Sequence, residues 1–234
     1  MPFYSIQGKK LNSIKESSQK IIEKDVQNLT EQNLKELFDL EFLDTEVPIV
    51  NFRIDTLAFD PETNSFTIIE YKRDKSFSVS DQGLSYLSLL LNHKADFVLK
   101  YNKIKRQNKS LEDFDWAQSR VMLIAHSFTP HQLQALGFRN LPIELWEVRI
   151  YENNLIYYDQ VKIPVAEESI DVIGNKDNSY RKISREIARP SVEQVLSKVV
   201  SEETKQRIEE IMEYCESLGD AQQYTTKGHI SLRN

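Results

Sequence analysis

The segment RIDTLAFDPETNSFTIIEYK, Arg53 to Lys72, constrains the fold more than any other part of this chain. Two apolar stretches flank DPETNS, whose Asp-Pro and Asn-Ser chemistry suits a short connection between antiparallel strands. FTIIEYK is rich in β-branched and aromatic residues and apolar on both faces, as expected of a central strand covered on both sides. Asp55, Glu70 and Lys72 interrupt this otherwise apolar pattern.

The surrounding chain supplies helices. Ile21, Ile22, Val26, Leu29, Leu34, Leu37 and Phe38 recur at helical intervals and predict a helix from about Ser17 to Phe42, with Thr30 as a cap at a kink. Pro48 in VPIV marks the change to extended chain. A second helix is expected over about Val79 to Asn92, on a stripe of Leu84, Leu87, Leu90 and Leu91. DFVLKY then reads as a short strand followed by a basic loop, and SRVMLIAHS as a buried strand. PHQLQALGF is a short helix ended by Gly137. IELWEVRIYENNLIYYDQV is a hairpin bending at Glu152, Asn153 and Asn154. The sum is an α/β fold with a mixed central sheet over about residues 15 to 162. The expected organisation is a domain over 1–163, a polar linker over 164–190 and a helical C-terminal segment over 191–234, read as the start of a second domain. The final residues carry no clear pattern.

Composition narrows the function classes. No apolar run approaches the roughly 20 residues needed to cross a bilayer, and the N-terminus lacks a signal-peptide core, so a cytoplasmic protein is expected. The one cysteine, Cys215, excludes an intramolecular disulfide and a cysteine-rich zinc site. A net charge of -6 gives no whole-protein attraction to nucleic acid. Local charge runs the other way: between Lys94 and Lys109 stand Lys100, Lys103, Lys105 and Arg106, against the single acid Asp96. Alone, such a run is more simply a solvated loop than a phosphate-binding face.

Glu70 and Lys72 are two residues apart on one strand and share a face, and Asp55 on the partner strand can meet them. Adjacent carboxylates in an apolar setting repel unless a cation or proton lies between them. A hard divalent ion such as Mg²⁺ meets that need with one or two carboxylates plus water and phosphate oxygens. The Tyr71 carbonyl is a further candidate ligand, and Lys72 would stand beside an attacking water. The plainer alternative is an ion pair of Lys72 with Glu70 or Asp55. On the following helix Gln82 and Tyr86 are four residues apart and share a face, suited to a phosphate backbone or to steadying the lysine. Glu31 on the first helix borders its apolar stripe and is a candidate supporting carboxylate, with Glu36 as competitor.

Asp55, then Glu70-x-Lys72, then Gln82-x-x-x-Tyr86, with a preceding helix bearing Glu31, resembles the PD-(D/E)xK, or restriction-endonuclease-like, nuclease superfamily. The Gln-x-x-x-Tyr element is similar to its RecB-like branch, and RIDTLAFDPETNSFTIIEYKR to the core of the NucS/EndoMS group. The glycine usual before RID is Phe52 here. The resemblance implies an αβββαβ core, with a C-terminal helical extension beyond it in this chain. It also implies divalent-metal-dependent hydrolysis of nucleic acid phosphodiesters. Asp55, Glu70 and Glu31, with the Tyr71 carbonyl, would hold Mg²⁺ or Mn²⁺. Lys72 would assist the attacking water, with Gln82 and Tyr86 accessory.

The expected activity is therefore endonucleolytic hydrolysis of DNA in repair, restriction or defence. Arg73, Lys75, Lys100, Lys103, Lys105, Arg106 and Lys109 are the candidate backbone contacts. The alternatives are a catalytically silent nuclease-fold module that binds nucleic acid or a protein, and a structural domain whose charged trio is an ion-pair network. The sequence leaves the oligomeric state open, a homodimer among the options.

Overall fold

A computed structural model describes residues 3–17, 23–72, 78–136, 141–162, 191–217, 222–225 and 230–233. The expected linker over 164–190, the helix-ending Gly137, and Arg73 and Lys75 lie outside them. Six strands form the central mixed sheet: β3 (Glu41–Ile49), β4 (Phe52–Asp60), β5 (Ser65–Lys72), β6 (Arg120–Ala125), β7 (Ile143–Tyr151) and β8 (Leu155–Gln160), paired in chain order. β5, β6 and β7 run parallel, and the remaining pairs are antiparallel. With helix α1 (Glu23–Gln32) before β3 and helix α3 (Val79–Asn92) between β5 and β6, the chain has the αβββαβ core that the resemblance implies.

Two layers of helix cover the sheet. Helices α3 and α4 (Lys94–Lys105) bury Leu87, Leu90, Phe97 and Tyr101 against Leu57, Phe66 and Ile68 on one face. Val26 of α1 and Leu34 of α2 (Leu34–Phe38) close over Ala58, Ile69 and Tyr71 on the other. Every residue of β5 before Lys72 is buried, which explains its apolar character on both faces. Gly83 lets α3 lie close to β7, since a Cβ there would stand 2.7 Å from Ile143 Cδ1.

Three boundaries differ from the sequence reading. The first helix is two helices, parted at Asn33 and stopped by Asp39 in a left-handed conformation (φ 55°), so the chain is already extended at Glu41. Thr30 is no cap: inside α1, its hydroxyl donates to Val26 O at 2.7 Å. Pro48 sits within β3, an edge strand, where a missing N–H is tolerated. DFVLKY belongs to helix α4, because Phe97, Val98 and Tyr101 are buried while Leu99 is 67% exposed, a helical rather than alternating pattern. The basic loop is thus largely the second half of a helix.

At the termini, β1 (Phe3–Gln7) and β2 (Lys10–Ile14) form a hairpin turning at Gly8 (φ 64°), and Phe3 packs edge-on against Tyr151 and Tyr157. Short helices α5 (Pro130–Ala135) and α6 (Val192–Leu196), the long α7 (Glu202–Ser217) and a hairpin of β9 (Gln222–Thr225) with β10 (Ile230–Arg233) complete the described elements. α6 and α7 lie in the C-terminal segment over 191–234, and the hairpin of β9 with β10 lies at its end.

Where the β4–β5 hairpin turns, buried Asp60 accepts from Arg120 Nη1 at 2.9 Å and from the backbone N–H groups of Glu62 and Thr63. Arg120 Nε also lies 3.0 Å from Glu144 Oε1. Removing one member of a buried charge cluster leaves the other short of a partner. Asp60→Ala is therefore expected to cost about 3 kcal/mol, read as a lower urea midpoint at unchanged m-value.

Candidate active site

The candidate site forms where the β4 and β5 ladders end. Their register runs from Asp60 opposite Ser65 to Thr56 opposite Ile69. Asp55 and Glu70 are the next residues on each strand, both on the α3 face. The Tyr71 backbone N–H donates to Asp55 Oδ2 at 3.0 Å. Lys72, two residues beyond Glu70, places Nζ 2.7 Å from Glu70 Oε1. The structure thus brings together the three residues that interrupt the apolar pattern.

Helix α3 adds the next layer. Tyr86 is buried beside Glu70, and its hydroxyl donates to Arg53 O at 3.3 Å. Gln82 lies one turn earlier on that helix face. Glu70 Oε2 and Gln82 Oε1 are both buried with no hydrogen-bond partner. A buried acceptor left unanswered is costly unless a cation or donor meets it.

The electrostatics agree with this geometry. Burial, and then the neighbouring Asp55 charge, push Glu70 up to about 7 against the pull of Lys72. Burial also raises Asp55, opposed by the Tyr71 N–H and Lys72. The Tyr86 phenol is raised by burial first and Glu70 second, so it remains a proton donor at neutral pH.

Other predicted residues are not gathered here. The Glu31 carboxylate accepts from Thr56 Oγ1 at 2.6 Å and Gln27 Nε2 at 2.9 Å. Thr56 follows Asp55 in the strand and faces the opposite side of the sheet, so Glu31 is committed to the α1 layer and the expected third carboxylate is absent from the cluster. Its competitor Glu36 is exposed on α2. The Tyr71 group seen at the site is its N–H rather than its carbonyl, and its side chain packs on the α1 face.

The basic run is also placed elsewhere. Lys100 pairs with Asp44 at 2.5 Å and Lys105 with Glu41 at 2.6 Å, tying α4 to β3. Lys94 lies over the Trp116 ring, 5.3 Å from its centroid. Glu41 is opposite Phe59, so Lys105 is anchored four residues along β4 from Asp55, roughly 13 Å away along the strand. Lys103 and Arg106 are exposed near that end of α4, with Lys109 half-buried just beyond it.

Two residues went unnoticed in the sequence. Glu46 stands between Thr45 and Val47, the partners of Thr56 and Ile54, and raises the Asp55 pKa; it is itself paired with Lys24 at 2.6 Å and with Arg53. Gln27, 3% exposed, joins α1 to Asp55 and bonds Glu31 one turn along the same helix. Reading LDTEVPI as an alternating strand would have exposed the first; a buried glutamine in an amphipathic helix has no such signal.

No family model matches the chain. It is 41% identical over 187 residues to an uncharacterized protein of Haemophilus influenzae, an alignment covering 80% of this chain and 62% of that one. The chain thus spans about three fifths of that relative's length. Among solved structures, a complex of EndoMS with double-stranded DNA is similar at TM-score 0.38 and 17% identity, covering 63% of this chain and 64% of that one. A repair endonuclease from Pyrococcus abyssi is similar at TM-score 0.35 and 20% identity, covering 56% and 49%. Pyrococcus furiosus SfsA in complex with Ca²⁺ is similar at TM-score 0.33 and 14% identity, covering 68% and 75%.

Proposed function

We propose that this protein is a divalent-metal-dependent nuclease that hydrolyses DNA phosphodiester bonds, with Asp55 and Glu70 holding Mg²⁺ or Mn²⁺ and Lys72 serving the attacking water. One observation carries the reading: a half-buried and a buried carboxylate, Asp55 and Glu70, adjoin across neighbouring strands, and Glu70 Oε2 is left buried without a partner.

Among the described residues, no three His, Cys, Asp or Glu side chains converge into a ligand set. A hard divalent ion needs only one or two carboxylates when carbonyl, water and phosphate oxygens complete its shell. Asp55 and Glu70 meet that requirement, and the orphaned oxygen is the acceptor such an ion would satisfy. When bound, the ion would supply Lewis-acid stabilisation of charge on the phosphoryl oxygens.

The chain's own residues then have distinct tasks. Asp55 is held by the Tyr71 N–H, which fixes one carboxylate oxygen and leaves the other for ligation. Glu70 presents Oε2 to the site while Oε1 holds the Lys72 ammonium in place. From there Lys72 orients the water whose oxygen bonds to phosphorus as the ester oxygen departs, and it offsets charge gathering on the phosphate. Tyr86, kept protonated, and Gln82 border the same space as hydrogen-bonding groups.

The test is incubation of the purified protein with single-stranded, duplex and branched DNA in Mg²⁺ or Mn²⁺. Cleavage that stops with EDTA is expected; all substrates intact in both metals overturns the enzyme reading. The Lys72–Glu70 ion pair favours a second reading, a structural domain whose charged trio is an ion-pair network. Absence of Mn²⁺ binding at Asp55 and Glu70 together with absence of turnover would select it.

A further inference from the structure

Asp55 lies at a break in the pairing of β4 with its two neighbours. In the β3–β4 ladder Thr45 pairs with Thr56 and Val47 with Ile54, but Glu46 and Asp55 between them form no pair. Glu46 is left-handed (φ 52°), which turns its peptide groups out of register. On the other side, the β4–β5 ladder ends at Thr56.

A side chain from another layer takes over. Gln27 Nε2 donates to Asp55 O at 2.9 Å and to Glu31 Oε1 at 2.9 Å, with Thr45 Oγ1 at 3.1 Å as a third, shared acceptor. The amide's orientation is set at its other end, where Lys24 Nζ donates to Gln27 Oε1 at 3.1 Å. An ammonium offers only donors, so it selects the carbonyl end and leaves the NH₂ end for Asp55 and Glu31. The second group reaching the Asp55 carbonyl is the Thr45 hydroxyl at 3.4 Å, a long contact.

We propose that Gln27 is a positioning residue for the Asp55 carboxylate, bonding the Asp55 carbonyl where β-pairing breaks and holding the strand where a metal ligand is needed; the inference rests on the nuclease reading above. Asp55 is then clamped twice, by Gln27 through its carbonyl and by the Tyr71 N–H through its carboxylate. Neither clamp touches the reacting atoms. Outer-shell partners that aim a ligand change metal affinity even when the ligand itself is intact.

A merely structural role, docking α1 onto the sheet, predicts something different. Gln27→Met keeps length and apolar bulk but removes the donors. Thr56→Val takes a donor from Glu31 in the same network while sparing the Asp55 carbonyl. Both are to be compared with wild type in thermal melting, in Mn²⁺ binding by electron paramagnetic resonance, and in cleavage as a function of Mn²⁺ concentration.

Gln27→Met should bind Mn²⁺ about tenfold more weakly and recover cleavage toward wild type as Mn²⁺ is raised to saturation. Thr56→Val should melt earlier with Mn²⁺ affinity unchanged. Wild-type Mn²⁺ affinity in Gln27→Met, or an equal loss in Thr56→Val, overturns the role of Gln27 and leaves the nuclease reading standing. A wild type that binds no Mn²⁺ overturns both.

Discussion

Alanine at Glu70 or at Lys72 should each lower DNA cleavage by at least about 100-fold, for separable reasons. Glu70→Ala removes a carboxylate with a buried oxygen free for a cation, so Mn²⁺ binding falls together with turnover. Lys72→Ala removes the cation that occupies Glu70 Oε1 at 2.7 Å. A divalent ion then meets less competition for that carboxylate, so Mn²⁺ binding is retained or tightened while turnover is lost. Cleavage assays and Mn²⁺ titrations on the same preparations, with melting curves to establish folding, separate the two. Wild-type turnover in Lys72→Ala would remove the lysine from the mechanism. Loss of Mn²⁺ binding in that variant would instead mark the ion pair as a structural strut.

A second large effect concerns pH. Burial and Asp55 hold Glu70 at about 7 in the folded protein, above its ordinary 4.5. The folded state therefore binds the Glu70 proton more tightly than the unfolded chain does. Its contribution to stability is complete below pH 4.5 and is lost as pH rises through about 7. Relative to Glu70→Gln, which cannot ionise, the metal-free wild type should lose up to about 3 kcal/mol between these limits. Urea unfolding of both proteins from pH 4 to pH 8 measures the difference, and a flat or opposite trend contradicts the assignment. Mn²⁺ should restore wild-type stability at the alkaline end, because the ion binds the ionised carboxylate.

The two kinds of prediction draw on different depths of information. Asp55, Glu70 and Lys72 stood out because a charge in an apolar strand is an exception that sequence displays directly. The register confirmed their meeting, since DPETNS closes a hairpin that sets Thr56 against Ile69. Glu31 borders its helix stripe as a weaker candidate, with Glu36 as competitor, and the Thr56 hydroxyl draws it to the opposite face. DFVLKY misled for a related reason: six residues with four apolar or aromatic side chains fit strand or helix, and only burial of Phe97, Val98 and Tyr101 together, with Leu99 exposed, separates them.

By itself, the sequence determined the mixed α/β core, the central strand and the charged trio, all of which follow from short-range patterning of apolar and turn residues. Tertiary structure alone decided which other charges join them. Lys100 and Lys105 were claimed by acids on β3, and Glu31 by the α1 layer. Gln27 became the support beneath Asp55 because packing of α1 on the sheet brings its amide within 2.9 Å of the Asp55 carbonyl, beside the left-handed turn at Glu46. Such partnerships depend on the distance between layers packed from remote parts of the chain, and residue spacing along the sequence carries no record of that distance.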